Sequence, residues 1–284
     1  MDTTNVETHE LKCMEIWSGH RSVENNATSR GLEAWIFSEP FHGDSNGGDV
    51  HYMSLCVGGI VTRMVLADVS GHGSEVAETS KALRRLLRKF MNSKSQDRLV
   101  AAINREFTAL EECSRFATAV VLTFLSHKQR LMVTNAGHPN PLFFSKSTGQ
   151  WNFLCDSATS DDSEYEESPS NLPLGILDST AYTKFSLPIH EGDMLILYTD
   201  AFVEAMNGDG KQFGEAGLKA AVEAISADLT CAEYGQRLRQ AVAEYTSGVS
   251  SDDETLIVLR FGRGKSSPGI MERLGGYASV LLGK

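Results

Sequence analysis

Aspartate recurs in this chain where an apolar run meets a turn. Asp68 closes the apolar run Gly59 to Ala67 and is followed by Val69-Ser70-Gly71-His72-Gly73 and then a long amphipathic stretch. Asp49 opens the run Val50 to Val57, Asp200 follows the wholly apolar run Met194 to Thr199, and Asp252-Asp253 precede the run Thr255 to Phe261. A carboxylate at a strand end, beside a glycine-rich turn, is a good place for a cation. Hard divalent ions such as Mg²⁺ and Mn²⁺ prefer carboxylate, carbonyl and water oxygens. A pair of them can activate a water and clamp a phosphoryl group for in-line displacement. Aspartate is also an ordinary turn residue. On chemistry alone, a cation centre and a set of unremarkable turn aspartates both stay open.

The elements that would position these residues can be read from the pattern. Gly58-Gly59 lies between two strand-like runs, which signals a tight hairpin. Counting outward from that turn sets Cys56 opposite Val61 and Asp49 opposite Asp68. Directly paired residues share a face with Cβ atoms roughly 4.5–5.5 Å apart, so two carboxylates there repel unless a proton or a cation intervenes. After the turn at Gly71-His72-Gly73, Val76, Leu83, Leu86, Leu87 and Phe90 recur at helical spacing over Ser74 to Met91. Glu75 and Glu78 lie early in that helix and Arg84, Arg85, Arg88 and Lys89 late, an order that suits the helix dipole. The basic cluster reads as a solvated helix face in preference to a docking patch.

A second helix is expected over Gln96 to Glu112, then strands over Phe116–Leu125, Gln129–Asn135 and Leu142–Phe144. Further strands are expected over Tyr182–Leu187, Met194–Thr199 and Thr255–Phe261, with helices over Phe213–Ile225 and Thr230–Tyr245. Leu32 to Ser38 reads as a strand. Residues 1–30 are polar and weakly patterned, an arm or an added edge strand. Residues 156–170 are acidic and serine-rich, a surface insertion with almost nothing to bury. His138, in the turn Ala136-Gly137-His138-Pro139, reads as a turn residue and not a ligand.

Composition excludes several classes. The formal charge of −11 argues against nucleic acid as a partner, which needs a basic face. Cys13, Cys56, Cys113, Cys155 and Cys231 are scattered and make no CxxC pair, so reduced thiols are expected, not a disulfide frame or a zinc knuckle. The N-terminus carries no secretory pattern and no apolar run approaches membrane-spanning length, so the expected compartment is the cytoplasm and no membrane partner is expected.

Eight blocks in order give the chain a family likeness. They are Gly47-Gly48-Asp49, Ala67-Asp68-Val69-Ser70-Gly71-His72-Gly73, Ala117-Thr118-Ala119, Asn135-Ala136-Gly137-His138-Pro139, Leu174-Gly175-Ile176, Gly192 to Asp200, Phe213-Gly214 and Asp252-Asp253-Glu254-Thr255. In these blocks the chain resembles the bacterial branch of the metal-dependent (PPM, or PP2C-like) protein phosphatases, the sporulation and stress-response enzymes acting on anti-sigma-factor antagonists. The resemblance runs from about residue 30 to 262. It implies an α+β four-layer sandwich, with two central antiparallel β-sheets flanked by helices, over residues 31–262 between an N-terminal arm (1–30) and a C-terminal tail (263–284). It also implies two ions, Mn²⁺ or Mg²⁺. Asp68 would bridge both, Val69 would offer its carbonyl, Asp49 would serve one ion, and Asp200 and Asp252 the other. Asp253 is the less expected ligand of its pair. Asp68 and Asp49 are thus the expected catalytic residues, acting on a phosphorylated protein.

Three departures from the family pattern stand out. The aspartate expected three positions after Gly-Gly-Asp is absent, since Val50-His51-Tyr52 follow. Ala201 stands where a glycine usually follows Thr-Asp, and a turn with positive φ there would cost roughly 1 kcal/mol. The acidic insertion is the third, and in the family this variable region lies beside the cleft. His72 is read as a structural turn residue more than a general acid, and Ser70 has no base to make it a nucleophile. The rival functions are a catalytically silent phosphoprotein-binding module and a small-molecule phosphomonoesterase.

Overall fold

Alternation of apolar and other residues along the strands builds two sheets that face one another. The computed structural model describes residues 8–11, 15–41, 44, 46–56, 59–71, 74–91, 93, 95–110, 115–155, 170–248 and 252–263. Gly58 of the hairpin turn, His72, residues 156–169 of the acidic insertion and the tail from 264 lie outside the described residues.

The six-stranded sheet centres on the hairpin of β5 (Val50–Cys56) and β6 (Val61–Val69). It continues through β7 (Ala117–Leu125) and β8 (Arg130–Ala136), with β2 (Ile16–Gly19) and β11 (Phe185–Pro188) at its edges. The seven-stranded sheet runs β1 (Thr8–Glu10), β3 (Val23–Ser29), β4 (Leu32–Glu39), β13 (Glu254–Phe261), β12 (Met194–Tyr198), β9 (Leu142–Ser145), β10 (Gln150–Phe153). Among the described residues only β1 joins its neighbour, β3, in parallel. The first thirty residues, expected as an arm or an edge strand, thus contribute strands to both sheets.

Side-chain parity sorts the apolar residues into three cores. In β6, Met64 and Leu66 face the opposite sheet, while Val65, Ala67 and Val69 face the helices α1 (Ser74–Phe90) and α2 (Gln96–Thr108). In β12, Leu195 and Leu197 point between the sheets, and Met194, Ile196 and Tyr198 meet α4 (Gly214–Ala224) and α5 (Cys231–Tyr245). A strand buried on both faces reads as a continuous apolar run for this reason. The order is helices, sheet, sheet, helices: the expected four-layer sandwich. Val76, Leu83 and Leu87 of α1 are fully buried as their spacing predicts, each contributing about 1.5–3 kcal/mol. On the other side a capping box of Thr230 and Glu233 starts α5. Gly235 keeps that helix against Trp35, whose ring occupies the place a Cβ would need. No described helix is long and apolar enough to cross a membrane.

Candidate active site

The hairpin register brings the first pair of aspartates together. β5 and β6 pair Cys56 with Val61 and Val50 with Ala67. The same register carried one residue outward sets Asp49 across from Asp68, as the turn arithmetic predicts. By the two-residue period of a strand, Asp49 continues the row of Met53 and Leu55, and Asp68 that of Met64 and Leu66. Both rows point between the sheets. From the facing sheet, Thr199 continues the row of Leu195 and Leu197, and Asp253 that of Ile257 and Leu259.

Side chains from the two sheets then interlock. Thr199 Oγ1 lies 3.1 Å from Asp49 Oδ2, and its single proton has its shortest contact there, since the Asp253 and Thr255 carbonyls are 3.4 and 3.5 Å away. Asp253 uses both carboxylate oxygens on backbone donors, Oδ1 accepting from Phe41 N at 2.7 Å and Oδ2 from Gly48 N at 2.5 Å. The same closeness explains the glycine pair before Asp49. A Cβ on Gly47 would stand 2.9 Å from the Asp253 carboxylate, and one on Gly48 2.9 Å from the Val69 carbonyl oxygen. Val69, the expected carbonyl ligand, is itself fully buried.

The field in this region is strongly negative. Asp49 is 2% exposed and its Oδ1 has no hydrogen-bond partner. Burial, and then the charge of Asp68, hold its carboxyl well above the usual range, against the pull of hydrogen bonds from Thr255 and Thr199. Asp68 is pushed up to about 8, by burial first and then by Asp200, Asp252, Asp253 and Glu204. Asp200 is shifted upward too, by burial, Asp252 and Glu204. Asp252 Oδ1 accepts from Asp253 N at 2.8 Å. The structure therefore brings Asp49, Asp68, Asp200 and Asp252 into one electrostatic neighbourhood. Among the described residues no three acidic, His or Cys side chains close to ligating geometry, so what they share is a field and not a finished cage. An orphaned buried carboxylate oxygen, and carboxylates that raise one another's pKa, suit a hard divalent cation.

Three features escape a reading of the residues alone. Glu204 acts on both Asp68 and Asp200 from α3 (Ala201–Glu204), a short helix that starts directly after Asp200. Its spacing of four from Asp200 was a signal only if that helix was foreseen. Ala201 opens the helix and is absent from the positive-φ residues, so the expected penalty for lacking glycine does not arise. Thr199 gave no signal beyond standing next to Asp200. Behind Asp68, its ladder partner Thr118 meets His138 Nδ1 at 2.8 Å. His138 is buried, its ring is kept neutral by burial with a pKa of about 3, and Asn135 clamps its backbone at both N and O. That is the turn role expected of it.

Comparison with known proteins agrees with this architecture. The sequence matches the family model of stage II sporulation protein E (SpoIIE) over residues 61–262. Phosphoserine phosphatase RsbP of Bacillus subtilis (strain 168) is 27% identical over 146 residues, which cover 50% of this chain and 33% of RsbP. The match thus spans about a third of that relative's length. Among solved structures, the RsbU and RsbW domains of Rv1364c from Mycobacterium tuberculosis align with a TM-score of 0.69 at 19% identity, covering 87% of this chain and 64% of that one. The PP2C phosphatase domain of SpoIIE from Bacillus subtilis, with a fragment of its regulatory domain, aligns with a TM-score of 0.64 at 17% identity, covering 90% and 71%. Such identities speak to the fold alone. The family match takes in β6 and Asp68, runs through Asp200 and Asp252, and covers most of the sequence; the chain belongs to the SpoIIE family of PP2C-type phosphatase domains.

Proposed function

We propose that this domain is a metal-dependent protein serine/threonine phosphatase, removing phosphate from phosphoserine or phosphothreonine on a regulatory protein of the anti-sigma-factor-antagonist kind. One observation supports the reading: Asp68, paired across the hairpin with Asp49, is pushed up to about 8 by burial and then by Asp200, Asp252, Asp253 and Glu204, which flank strands of the facing sheet. Membership of a phosphatase family supports the same reading. The ions would be two, Mn²⁺ or Mg²⁺, and a solved neighbour of the same fold, RsbX, is described in complex with magnesium. Asp68 would face both ions, with the Val69 carbonyl and Asp49 serving one and Asp200 and Asp252 the other. When bound, such ions supply Lewis-acid stabilisation of phosphoryl charge and lower the pKa of water.

The chain's own part is to hold the carboxylates ready. Burial and like charge favour the protonated forms of Asp68 and Asp49, and a bound cation would favour the ionised ones. Thr199 steadies one oxygen of Asp49 and leaves the other open. Asp253 pins the Gly47-Gly48 backbone from the facing sheet, so that Asp49 and the Val69 carbonyl keep their places. Scattered cysteines and an acidic surface support a cytoplasmic setting.

The test is turnover of a phosphoserine peptide and of a small aryl phosphate, with and without Mn²⁺ or Mg²⁺. Hydrolysis that needs the cation and is lost in Asp68→Asn is expected. No turnover under any cation would leave a silent phosphoprotein-binding module, and turnover confined to small esters would overturn the protein substrate.

A further inference from the structure

Beside the same glycine pair lies a cavity of about 460 Å³, lined chiefly by Ser18, His20, Arg21, Ser22, His51 and Arg84. Gly47 N donates to His20 O at 2.8 Å, so this cavity and the aspartate cluster share one backbone segment. Its chemistry is opposite to that of the cluster. Among the described residues no Asp or Glu lines it.

The hydrogen-bond roles can be worked out. Arg84 Nη1 lies 2.6 Å from His20 Nδ1, and a guanidinium can only donate. Nδ1 therefore accepts, which leaves the neutral ring's hydrogen on Nε2. Burial, Arg84, Arg21 and Lys81 all favour the neutral ring. His20 is 5% exposed and Nε2 has no hydrogen-bond partner, so it is a buried donor in want of an acceptor. Asn46 pulls the ring toward its charged form but makes no bond of normal geometry with Nε2, and its Oδ1 accepts from Arg21 Nε at 3.3 Å.

Arg84 repeats the pattern. Its Nη2 donates to Ser18 O and Oγ at 3.3 and 3.2 Å, while Nε is buried with no partner. Among the described residues no carboxylate pairs with it. In a chain of net charge −11, a half-buried cation without a counter-ion is unusual, because desolvated charge is costly unless matched. The cavity thus presents donors from a ring, a guanidinium and hydroxyls, with a second arginine at its rim. Multiple N–H donors around a roomy hollow suit a tetrahedral oxyanion.

We propose that this cavity is an anion subsite that takes a phosphate group, next to the candidate active site but separate from it. The phosphate would be either a second phosphoryl group on a protein substrate or free inorganic phosphate; only the first of these rests on the phosphatase reading.

The primary experiment is a titration of the full chain with inorganic phosphate in the presence of a metal chelator, at constant ionic strength against chloride. Binding is followed by calorimetry and melting temperature. A saturable response is expected, and it should persist in Asp68→Asn, which alters the aspartate cluster alone. Arg84→Gln should weaken binding about tenfold, and Arg21→Ala, on an exposed side chain whose loss leaves folding untouched, about threefold. No saturable response, or the same affinity in Arg21→Ala and in any folded Arg84→Gln protein, would overturn the subsite. Peptides then separate the two sources. A lower KM for a doubly than for a singly phosphorylated peptide, lost in Arg21→Ala, assigns the subsite to the substrate. Equal KM values with the phosphate response intact assign it to free phosphate. If no peptide is turned over, the phosphatase reading fails while the titration still decides the subsite.

Discussion

Two groups of buried polar side chains adjoin the Asn46–Gly48 segment, and each lacks what the other has in excess. The aspartate cluster has more acceptors than donors: Asp49 Oδ1 is orphaned and Asp68 is crowded by Asp200, Asp252 and Glu204. The His20–Arg84 cavity has donors without acceptors. Their neighbours make the contrast sharper. Asp253, one residue from Asp252, is fully satisfied by two backbone N–H groups, and Lys89, one turn beyond Arg85 on α1, is matched by Glu106 at 2.6 Å. A folded chain meets almost all of its buried polar needs internally. In the two proposals made above, the complement comes from outside, a cation in one place and an anion in the other.

The largest way to break this comparison is to remove the acidic centre. Asp68→Asn should lower peptide turnover by more than ~100-fold, since even outer partners of a metal ligand are typically worth 10–100-fold. Far-UV circular dichroism should be unchanged. Wild-type turnover would mean that Asp68 is not a ligand.

The second contrast is between adjacent aspartates. Asp253→Ala strips Phe41 N and Gly48 N of their acceptor, and stability in urea should fall by about 2–5 kcal/mol. Asp252→Asn should cost less than ~1 kcal/mol and yet damage turnover more, with partial rescue at high Mn²⁺. Equal stability losses would show that the two residues share one job.

A pH series gives a smaller effect with a definite sign. Asp68 is raised from 3.8 to about 8 in the folded chain, so its protonated form is favoured by folding. That contribution is fully present below pH 3.8 and is lost as pH rises toward 8. In chelator, the melting temperature should therefore decline through this window on account of Asp68. Added Mn²⁺ should remove the decline by binding the ionised form. A melting temperature that rises with pH in chelator would contradict the crowded-carboxylate picture.

The smallest effect concerns Thr199. Thr199→Val keeps the shape and removes the hydroxyl donor to Asp49, which should cost about 1 kcal/mol in unfolding and shift the Mn²⁺ requirement without abolishing turnover. An unchanged metal titration would reduce Thr199 to packing.

Much of this arrangement can be read before any coordinates, for physical reasons that differ by region. The Asp49–Asp68 pairing follows from counting outward from Gly58-Gly59, because strand register propagates without error when no bulge intervenes. The helix Ser74–Phe90 is legible because Val76, Leu83 and Leu87 recur at helical spacing on one buried face, which Ser80 shares. β2 and β3 are not: Val23-Glu24-Asn25-Asn26-Ala27 is mostly half-buried, and half-buried strands carry little periodicity. The short helix at Ala201 is hidden because the family pattern leads one to expect a glycine turn. Thr199, Glu204 and the His20–Arg84 cavity depend on residues far apart in sequence. Arg84 illustrates the loss best. Its neighbours Arg85, Arg88 and Lys89 are exposed, as a solvated helix face requires, while Arg84 alone turns inward to His20.

The pairing of β4 with β13, the hydrogen bond from Thr199 to Asp49 and that from Gly48 N to Asp253 also govern when the proposed site can come into being. As the chain leaves the ribosome, the Asp49–Asp68 hairpin emerges long before Asp200 and Asp252. Until β13 slots between β4 and β12, the seven-stranded sheet has a gap at its centre. A nascent or truncated chain can thus carry half of the aspartates and have no assembled centre. On the proposed function, hydrolytic competence would await closure of that sheet, so a chain lacking β13 is expected not to act on phosphorylated targets.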